Sequence, residues 1–342
     1  MEKAKHIVFT KKDTAELLET DVRELRDNEV KVKTVISTIS CGTEKANITG
    51  DLNVSIFEGP AKEAVFPRYG GYSSAGIVIE IGDAVKTVAV GDRVAVTNCM
   101  HKAINIVEEQ NAIKIESDDV SFNEAAMAFI GSFSIAAVRK ARLEVGESCL
   151  VMGLGILGQL AVQYAHASGA VPIIAADPNE ERRKMALENG ADYALDPLNK
   201  DFAEQVKKIT GGGVNVALEV SGIGAGLISC LDCMARFGRV VLEGCTRNSD
   251  FTIDFYRKVH GCGVQIIGAN SAARPSVDSS PGFFTQRDDI KSILKLCAGK
   301  RVDMKSLVQE VHSPKDCTEV YARLVNDKDF PVCVQFNWSR LD

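Results

Sequence analysis

From Ser148 to Ala176 the chain carries no Asp, Glu, Lys or Arg, although 25% of its residues are charged. A stretch this free of charge has to be buried, which leaves a membrane span or the interior of a globular domain. A spanning helix needs about 20 predominantly apolar residues in one unbroken run. This one is interrupted by Gly153, Gly155, Gly158, Gln159, Gln163, His166, Ser168, Gly169 and Pro172. It therefore divides into short buried pieces: a strand over 148–152, a glycine-rich turn, a helix over 156–168 and a strand over 172–176. Short apolar strands separated by helices continue with strands near 193–195, 215–220, 239–243 and 263–268, and helices over 179–189, 200–210 and 225–236. That alternation predicts an α/β domain with a parallel sheet covered on both faces.

The turn itself reads Gly153-Leu-Gly155-Ile-Leu-Gly158, and an acid, Asp177, closes the next strand. Strand, GxGxxG, helix and an acid roughly 20 residues on make a dinucleotide-binding pattern with a physical reason at each position. Gly153 permits the tight turn, Gly155 lets the backbone approach a diphosphate, and Gly158 allows the helix to pack close to the sheet. The diphosphate then lies at the helix N-terminus, near Ile156 and Leu157, where free N–H groups and the helix dipole favour an anion. A carboxylate at 177 accepts hydrogen bonds from ribose hydroxyls and repels a 2′-phosphate, so NAD(H) is expected over NADP(H), with Pro178 beside it. Arg182 and Arg183 follow on the next helix and are read as a solvated face.

The rest of the chain, 342 residues in all, suggests a second domain. The first 125 residues are rich in alternating strands such as EVKVKTVIST, AGIVIEIG and DRVAVTN. Mixed elements return after Ser271: a helix over 287–299, another over 315–326 and a last strand, PVCVQF. The expected layout is a β-rich domain of residues 1–125 and 271–342 with an α/β domain, 126–270, inserted between its parts. A net charge of −6 gives no sign of a nucleic-acid partner. The N-terminal MEKAKHIVFTKKDTAELLE has no apolar h-region, so a secretory signal is not expected. The ten cysteines are scattered, which fits reduced thiols and a cytoplasmic location. The one CxxC, Cys230 to Cys233, falls in an expected helix without a second pair and is read as a buried pair.

With those motifs in place, the chain resembles the medium-chain dehydrogenase/reductase superfamily, the zinc alcohol and polyol dehydrogenases and their zinc-free relatives. The marks are Ser40-Cys41-Gly42-Thr43-Glu44, Gly70-Gly71-Tyr72-Ser-Ser-Ala-Gly76, Gly91-Asp92-Arg93-Val94, the Gly153–Gly158 loop, Val220-Ser221-Gly222 and GRVVLEG. The resemblance implies a Rossmann doubly wound sheet inserted into a GroES-like catalytic domain. It also implies nicotinamide contacts at Ser221, Gly222, Cys245, Ala269 and Asn270. In the zinc members a catalytic metal is held by three side chains, and here only Cys41 matches. The family's His falls on Gly71, its Glu on Tyr72 and its third ligand on Ala128. The four-cysteine lobe is missing too, so both zincs are expected to be absent; the one alternative donor set is Cys41, Glu44 and His101.

Hydride transfer from a carbinol also needs a proton acceptor. His101, where the metal lobe of relatives would be, is the candidate base. Thr43 matches the family's hydroxyl relay, Tyr72 is a donor in place of a metal ligand, and Glu44 and Cys41 complete the catalytic set. Arg68 and Arg274 are candidate contacts for a polyhydroxylated or anionic substrate. The function expected is an NAD-dependent, zinc-independent oxidoreductase acting on a secondary alcohol, polyol or sugar. A zinc-free quinone or enoyl reductase and a non-catalytic NAD(H)-binding protein are the alternatives. The apolar edge GVQIIGAN suits pairing with a second copy, so a homodimer or homotetramer is expected.

Overall fold

The computed structural model describes residues 2–341 and divides into two compact units. One takes the residues up to 130, 294–298 and those from 304 onward; the other takes 131–293 and 299–303.

The first unit begins with β1 (Lys3–Lys11), antiparallel to β2 (Thr14–Asp21). β3 (Glu29–Thr38) coincides with the alternating EVKVKTVIST and buries Val30, Val32 and Ile36. A short helix, α1 (Cys41–Ile48), follows, then β4 (Arg68–Tyr69), β5 (Ser73–Ile81), β6 (Arg93–Thr97), β7 (Ile104–Glu108), β8 (Ala112–Lys114) and α2 (Phe122–Ala125). α2 starts at a capping box in which Ser121 and Glu124 satisfy each other's backbone N–H groups, worth about 1 kcal/mol. β3 is the hub of the main sheet, pairing antiparallel with β5 and β7.

Next come α3 (Ala128–Lys140) and the alternating elements β9 (Cys149–Met152), α4 (Ile156–Ala167), β10 (Ile173–Ala176), α5 (Glu180–Glu188), β11 (Tyr193–Leu195), α6 (Phe202–Thr210), β12 (Val214–Glu219), α7 (Gly224–Asp232), β13 (Met234–Leu242) and β14 (Gln265–Gly268). The six strands form one parallel sheet in the order β11-β10-β9-β12-β13-β14. All four residues of β9 and all four of β10 are buried, which is why the stretch around them carries no charge. The order reverses beside β9, and the crevice at the carboxyl end of a parallel sheet at such a reversal is where ligands bind.

Three sequence expectations shift. The helix expected over 225–236 stops at Asp232, because Met234 already pairs with Val214 and β13 starts there instead of at 239. Cys230 and Cys233 are buried at that junction; burial pushes Cys233 up to about 12 and Cys230 well above the ordinary thiol value. Both are packing thiols. Residues 271–293, expected with the β-rich domain, belong to the second unit. The physical reason is Asp289, fully buried and held by Arg139 at 2.8 Å and Arg274 at 3.4 Å.

α8 (Gln286–Ala298), β15 (Glu310–His312), α9 (Cys317–Asn326) and β16 (Val334–Asn337) complete the chain. β16 pairs with β3, and α9 packs Val320, Tyr321 and Leu324 with Ile7, Phe9, Ile39, Ile48, Phe336 and Trp338. At about 1.5–3 kcal/mol for each large apolar side chain removed from water, this cluster is the main apolar anchor for α1. Among the described residues no helix is long and apolar enough to cross a membrane.

Candidate functional site

In the second unit, the turn between β9 and α4 has the geometry a diphosphate loop requires. Gly153 sits at φ +96°, and a Cβ there would lie 2.8 Å from the Ser221 backbone nitrogen. A Cβ on Gly158 would come within 1.9 Å of the Gly153 carbonyl oxygen. Between them, nothing lies within 4 Å of the Cβ position of Gly155, the N-cap of α4, and no side chain caps the helix there. The backbone N–H groups of the first turn, through Ile156 and Leu157, therefore face an open cradle suited to an anion.

Asp177, mostly buried at the end of β10, is tied into the same loop. One oxygen accepts the Leu154 N–H at 2.8 Å and the other the Asn179 N–H at 2.8 Å. A carboxylate has about four lone-pair sites, so two remain for a ribose. Pro178 lies between Asp177 and the Asn179 N-cap of α5. The Arg183 guanidinium donates to the carbonyls of Asp177 at 2.7 Å and Pro178 at 2.9 Å, so it is held against the strand end rather than out on a solvated face.

Across the reversal, Ser221 and Gly222 follow β12. Glu219, which the sequence reading passes over, organises them: its carboxylate takes the Ser221 N–H at 2.9 Å, the Ser221 hydroxyl and the Gly222 N–H at 3.2 Å. Gly222, at φ +69°, is needed because a Cβ would press on the backbone of Cys245 at 3.0–3.1 Å. Cys245 itself is exposed, Ala269 is buried at the end of β14 with its N–H on Leu242, and Asn270 uses its side-chain oxygen for the Ala272 N–H. The residues present fit a dinucleotide along the carboxyl edge of this sheet.

In the first unit, three of the five catalytic candidates, Glu44, His101 and Tyr72, fall into one polar cluster. Glu44 and His101 are both fully buried. Glu44 accepts from the Ser40 N–H at 2.8 Å on one oxygen, and meets His101 Nε2 at 3.0 Å and the Tyr321 hydroxyl on the other. His101 Nδ1 lies 2.7 Å from Ser37 Oγ, which also accepts the Trp338 indole N–H at 2.8 Å. The backbone of His101 is fixed as well, its N–H on the Gly70 carbonyl and its carbonyl on the Ile7 N–H. The half-buried Tyr72 donates to the Ser40 hydroxyl and packs edge-on against Phe129. Thr43 and Cys41 are half-buried on α1, Cys41 in long contact with the Pro331 carbonyl at 4.0 Å.

This placement changes the reading of His101. A base must come within hydrogen-bond reach of the proton it takes. His101 has no exposed surface, and both ring nitrogens are engaged within the cluster. Its backbone and ring occupy the volume beside Gly71, where a Cβ would lie 2.5 Å from the His101 nitrogen and 2.6 Å from its Cγ. The donors around Cys41 accordingly do not fit a catalytic zinc: Gly71 and Ala128 offer no ligand atom, Tyr72 is bonded to Ser40, and the alternative set with His101 and Glu44 is tied up internally. Among the described residues no group of three or more His, Cys, Asp or Glu is arranged to hold a metal ion.

The two arginines proposed as substrate contacts are committed to structure. Arg68 donates to the carbonyls of Val65 at 3.0 Å and Asp51 at 3.1 Å. Arg274 is buried, bonded to the Ser132 carbonyl and paired with Asp289. Ser37, Ser40, Tyr321, Trp338 and Glu219 were missed as site residues. Glu219 had a local signal, an acid at the end of a strand facing the glycine loop, and Ser40 opens the Ser40–Glu44 motif; Tyr321 and Trp338 come from distant parts of the chain.

Two family models match the chain, "Alcohol dehydrogenase GroES-like domain" over residues 26–146 and "Zinc-binding dehydrogenase" over 157–279. L-threonine 3-dehydrogenase of Thermococcus kodakarensis is 32% identical over 270 residues, 70% of this chain and 75% of that protein. D-guloside 3-dehydrogenase of Escherichia coli is 28% identical over 291 residues, 80% of this chain and 83% of that one. Benzyl alcohol dehydrogenase of Acinetobacter calcoaceticus shares the fold with a TM-score of 0.83 at 19% identity, over 98% of this chain and 99% of that one. The chain belongs to the medium-chain dehydrogenase/reductase superfamily, among its zinc-type alcohol and polyol dehydrogenases.

Proposed function

We propose that the protein is an NAD-dependent, zinc-independent oxidoreductase that interconverts a secondary alcohol, of the polyol or sugar class, and its ketone. Held by the Gly153–Gly158 turn and Asp177, an NAD coenzyme would supply the hydride acceptor for the carbinol carbon, and the hydroxyl proton would leave to water. The observation that carries the coenzyme assignment is Asp177: its carboxylate lies beside the open turn at Gly155 with lone pairs left for a ribose, and a 2′-phosphate would meet its charge. The similarity to enzymes named L-threonine 3-dehydrogenase and D-guloside 3-dehydrogenase supports a hydroxyl-bearing substrate.

On the substrate side, the half-buried hydroxyls of Tyr72 and Thr43 are the groups that reach the substrate oxygen. Ser40, Glu44 and His101 form the buried layer that fixes Tyr72 and the start of α1. His101 and Glu44 are then positioning residues, and Cys41 is a half-buried thiol of α1. The enzyme works in the cytoplasm as a homodimer or homotetramer paired through β14, the edge strand of the parallel sheet.

The test is NADH formation from a panel of secondary alcohols, polyols and sugars by protein treated with a chelator, with NADH and NADPH affinities measured by fluorescence. Turnover without metal and tighter NADH binding are expected. Tighter NADPH binding, or activity restored only by zinc, overturns the assignment. One observation favours a second reading, NAD(H) binding without catalysis: the complete burial of His101. Binding with no turnover across the panel would establish it.

A further inference from the structure

Glu243 stands directly after β13, at the carboxyl edge of the parallel sheet, with only 8% of its surface exposed. Its Oε1 lies 2.5 Å from the Ser134 hydroxyl of α3. Its Oε2 is buried and has no hydrogen-bond partner among the described residues. The Ser134 hydroxyl also meets the Leu157 carbonyl in the first turn of α4, at 2.9 Å. One hydroxyl has one proton, so it cannot donate fully to both oxygens. The conflict disappears when Glu243 is the protonated partner: its O–H donates to Ser134, and Ser134 donates to Leu157. Burial pushes the Glu243 carboxyl up to about 8 against the Ser134 hydrogen bond, and the charge of Glu219 on neighbouring β12 adds to the rise.

The position of this carboxyl in the site follows from the sheet order. Asp177 on β10 marks the adenosine half of the dinucleotide, and the diphosphate lies at the β9–α4 turn. The nicotinamide half must then extend over the ends of β12 and β13. An orphaned, buried carboxyl oxygen therefore stands on the side where the two redox states of the coenzyme differ by one positive charge.

We propose that Glu243 couples coenzyme redox state to a proton: it gives up its proton when the oxidised coenzyme is held, and keeps it when the reduced one is held. This rests on the dinucleotide reading above. No covalent step is involved; the proton goes to solvent, and Glu243 selects the oxidised form more strongly as the pH rises. By linkage, a ligand that favours the ionised carboxyl binds more tightly with increasing pH through the titration of that group and releases a proton on binding. Because NAD+ and NADH share the adenosine and diphosphate groups, their difference isolates the ring charge.

The experiment measures NAD+ and NADH dissociation constants from pH 6 to 8.5, with protons counted by titration calorimetry in buffers of different ionisation enthalpy. For the unmodified protein, NAD+ binding should tighten by about threefold or more over this range with proton release, while NADH binding changes little. Glu243→Gln should make the two coenzymes respond alike. Ser134→Ala keeps Glu243 but removes the hydrogen bond that lowers its pKa, so the NAD+ transition should move to higher pH. Equal pH slopes for NAD+ and NADH in the unmodified protein overturn the proposal. So does a difference that survives in Glu243→Gln, which would assign the proton to Glu219. If neither coenzyme binds at any pH, the dinucleotide reading itself fails.

Discussion

Replacing Glu44 tests whether the buried cluster in the first unit is a structural keystone. Three donors converge on its carboxylate: the Ser40 N–H, His101 Nε2 and the Tyr321 hydroxyl. Glu44→Ala leaves all three without an acceptor in a region closed to water. Each orphaned group costs about 1–3 kcal/mol, and because the three share one site the sum is better taken as the 3–5 kcal/mol typical of breaking a buried charged pair. For a unit of this size, about 2–4 °C is lost per kcal/mol, so its thermal transition should fall by about 6–20 °C. Glu44→Gln keeps one oxygen for His101 and Tyr321 but turns an NH2 toward the Ser40 N–H, losing one bond, at about 1–3 kcal/mol. Scanning calorimetry on the whole protein reads the transition, and NADH fluorescence checks that the second unit, with its own core, is intact. An alanine variant within 1 °C of the unmodified protein would refute the reasoning, since it would mean that Tyr321, His101 and Ser40 find other partners.

Gly158→Ala should abolish measurable NADH binding by equilibrium titration, because its Cβ would sit 1.9 Å from the Gly153 carbonyl oxygen and force the loop apart. Asp289→Asn leaves the buried Arg274 without its counter-charge and should cost about 3–5 kcal/mol in urea unfolding of the second unit. Stability should also fall on acidification, for two reasons. Burial, with Lys102 and His101 adding to it, holds His6 down at about 4, and the Arg323 and His312 hydrogen bonds hold Glu310 down at about 2. Both folded values are depressed, so the stabilisation from His6 is complete above pH 6.5 and is lost toward 4, and that from Glu310 is complete above 4.5 and is lost toward 2. Urea titrations at pH 7, 5 and 3 should show two successive losses, with His6→Asn removing the first.

The cofactor half of the protein could be read from its residues because its chemistry is local. Gly153, Gly155, Gly158 and Asp177 lie within one β–α–β unit, and each glycine answers a steric demand that appears in the backbone as a positive φ, an open N-cap or a contact no Cβ can tolerate. The substrate half could not be read in the same way. Glu44 meets Tyr321 only because α9 packs beside α1, and Trp338 reaches the Ser37 hydroxyl that bonds His101 only because β16 pairs with β3. Nothing in the spacing around His101 distinguishes a base open to substrate from a ring closed in by Phe336 and Tyr321. The arginines failed for the same reason: Arg274 looks like a free cation until Asp289, on a later helix, is found beneath it.

Gly71 and His101 belong together physically. At φ +81° Gly71 occupies a backbone region that side chains enter only with strain, and a Cβ there would overlap the nitrogen and ring of His101. A histidine at position 71, as in the zinc-binding members, is thus incompatible with His101 in its present place. Conversely, removing the His101 ring from the present structure leaves Glu44 short of a donor and opens a cavity beside a glycine that cannot fill it. The ring therefore does two jobs: it fills the space left by the missing side chain and supplies one of the donors that keep Glu44 satisfied. That explains how Glu44, Cys41 and the turn at Ser40 are kept in a corner whose other family ligand positions hold no metal donor, and why the polar groups left there bind one another.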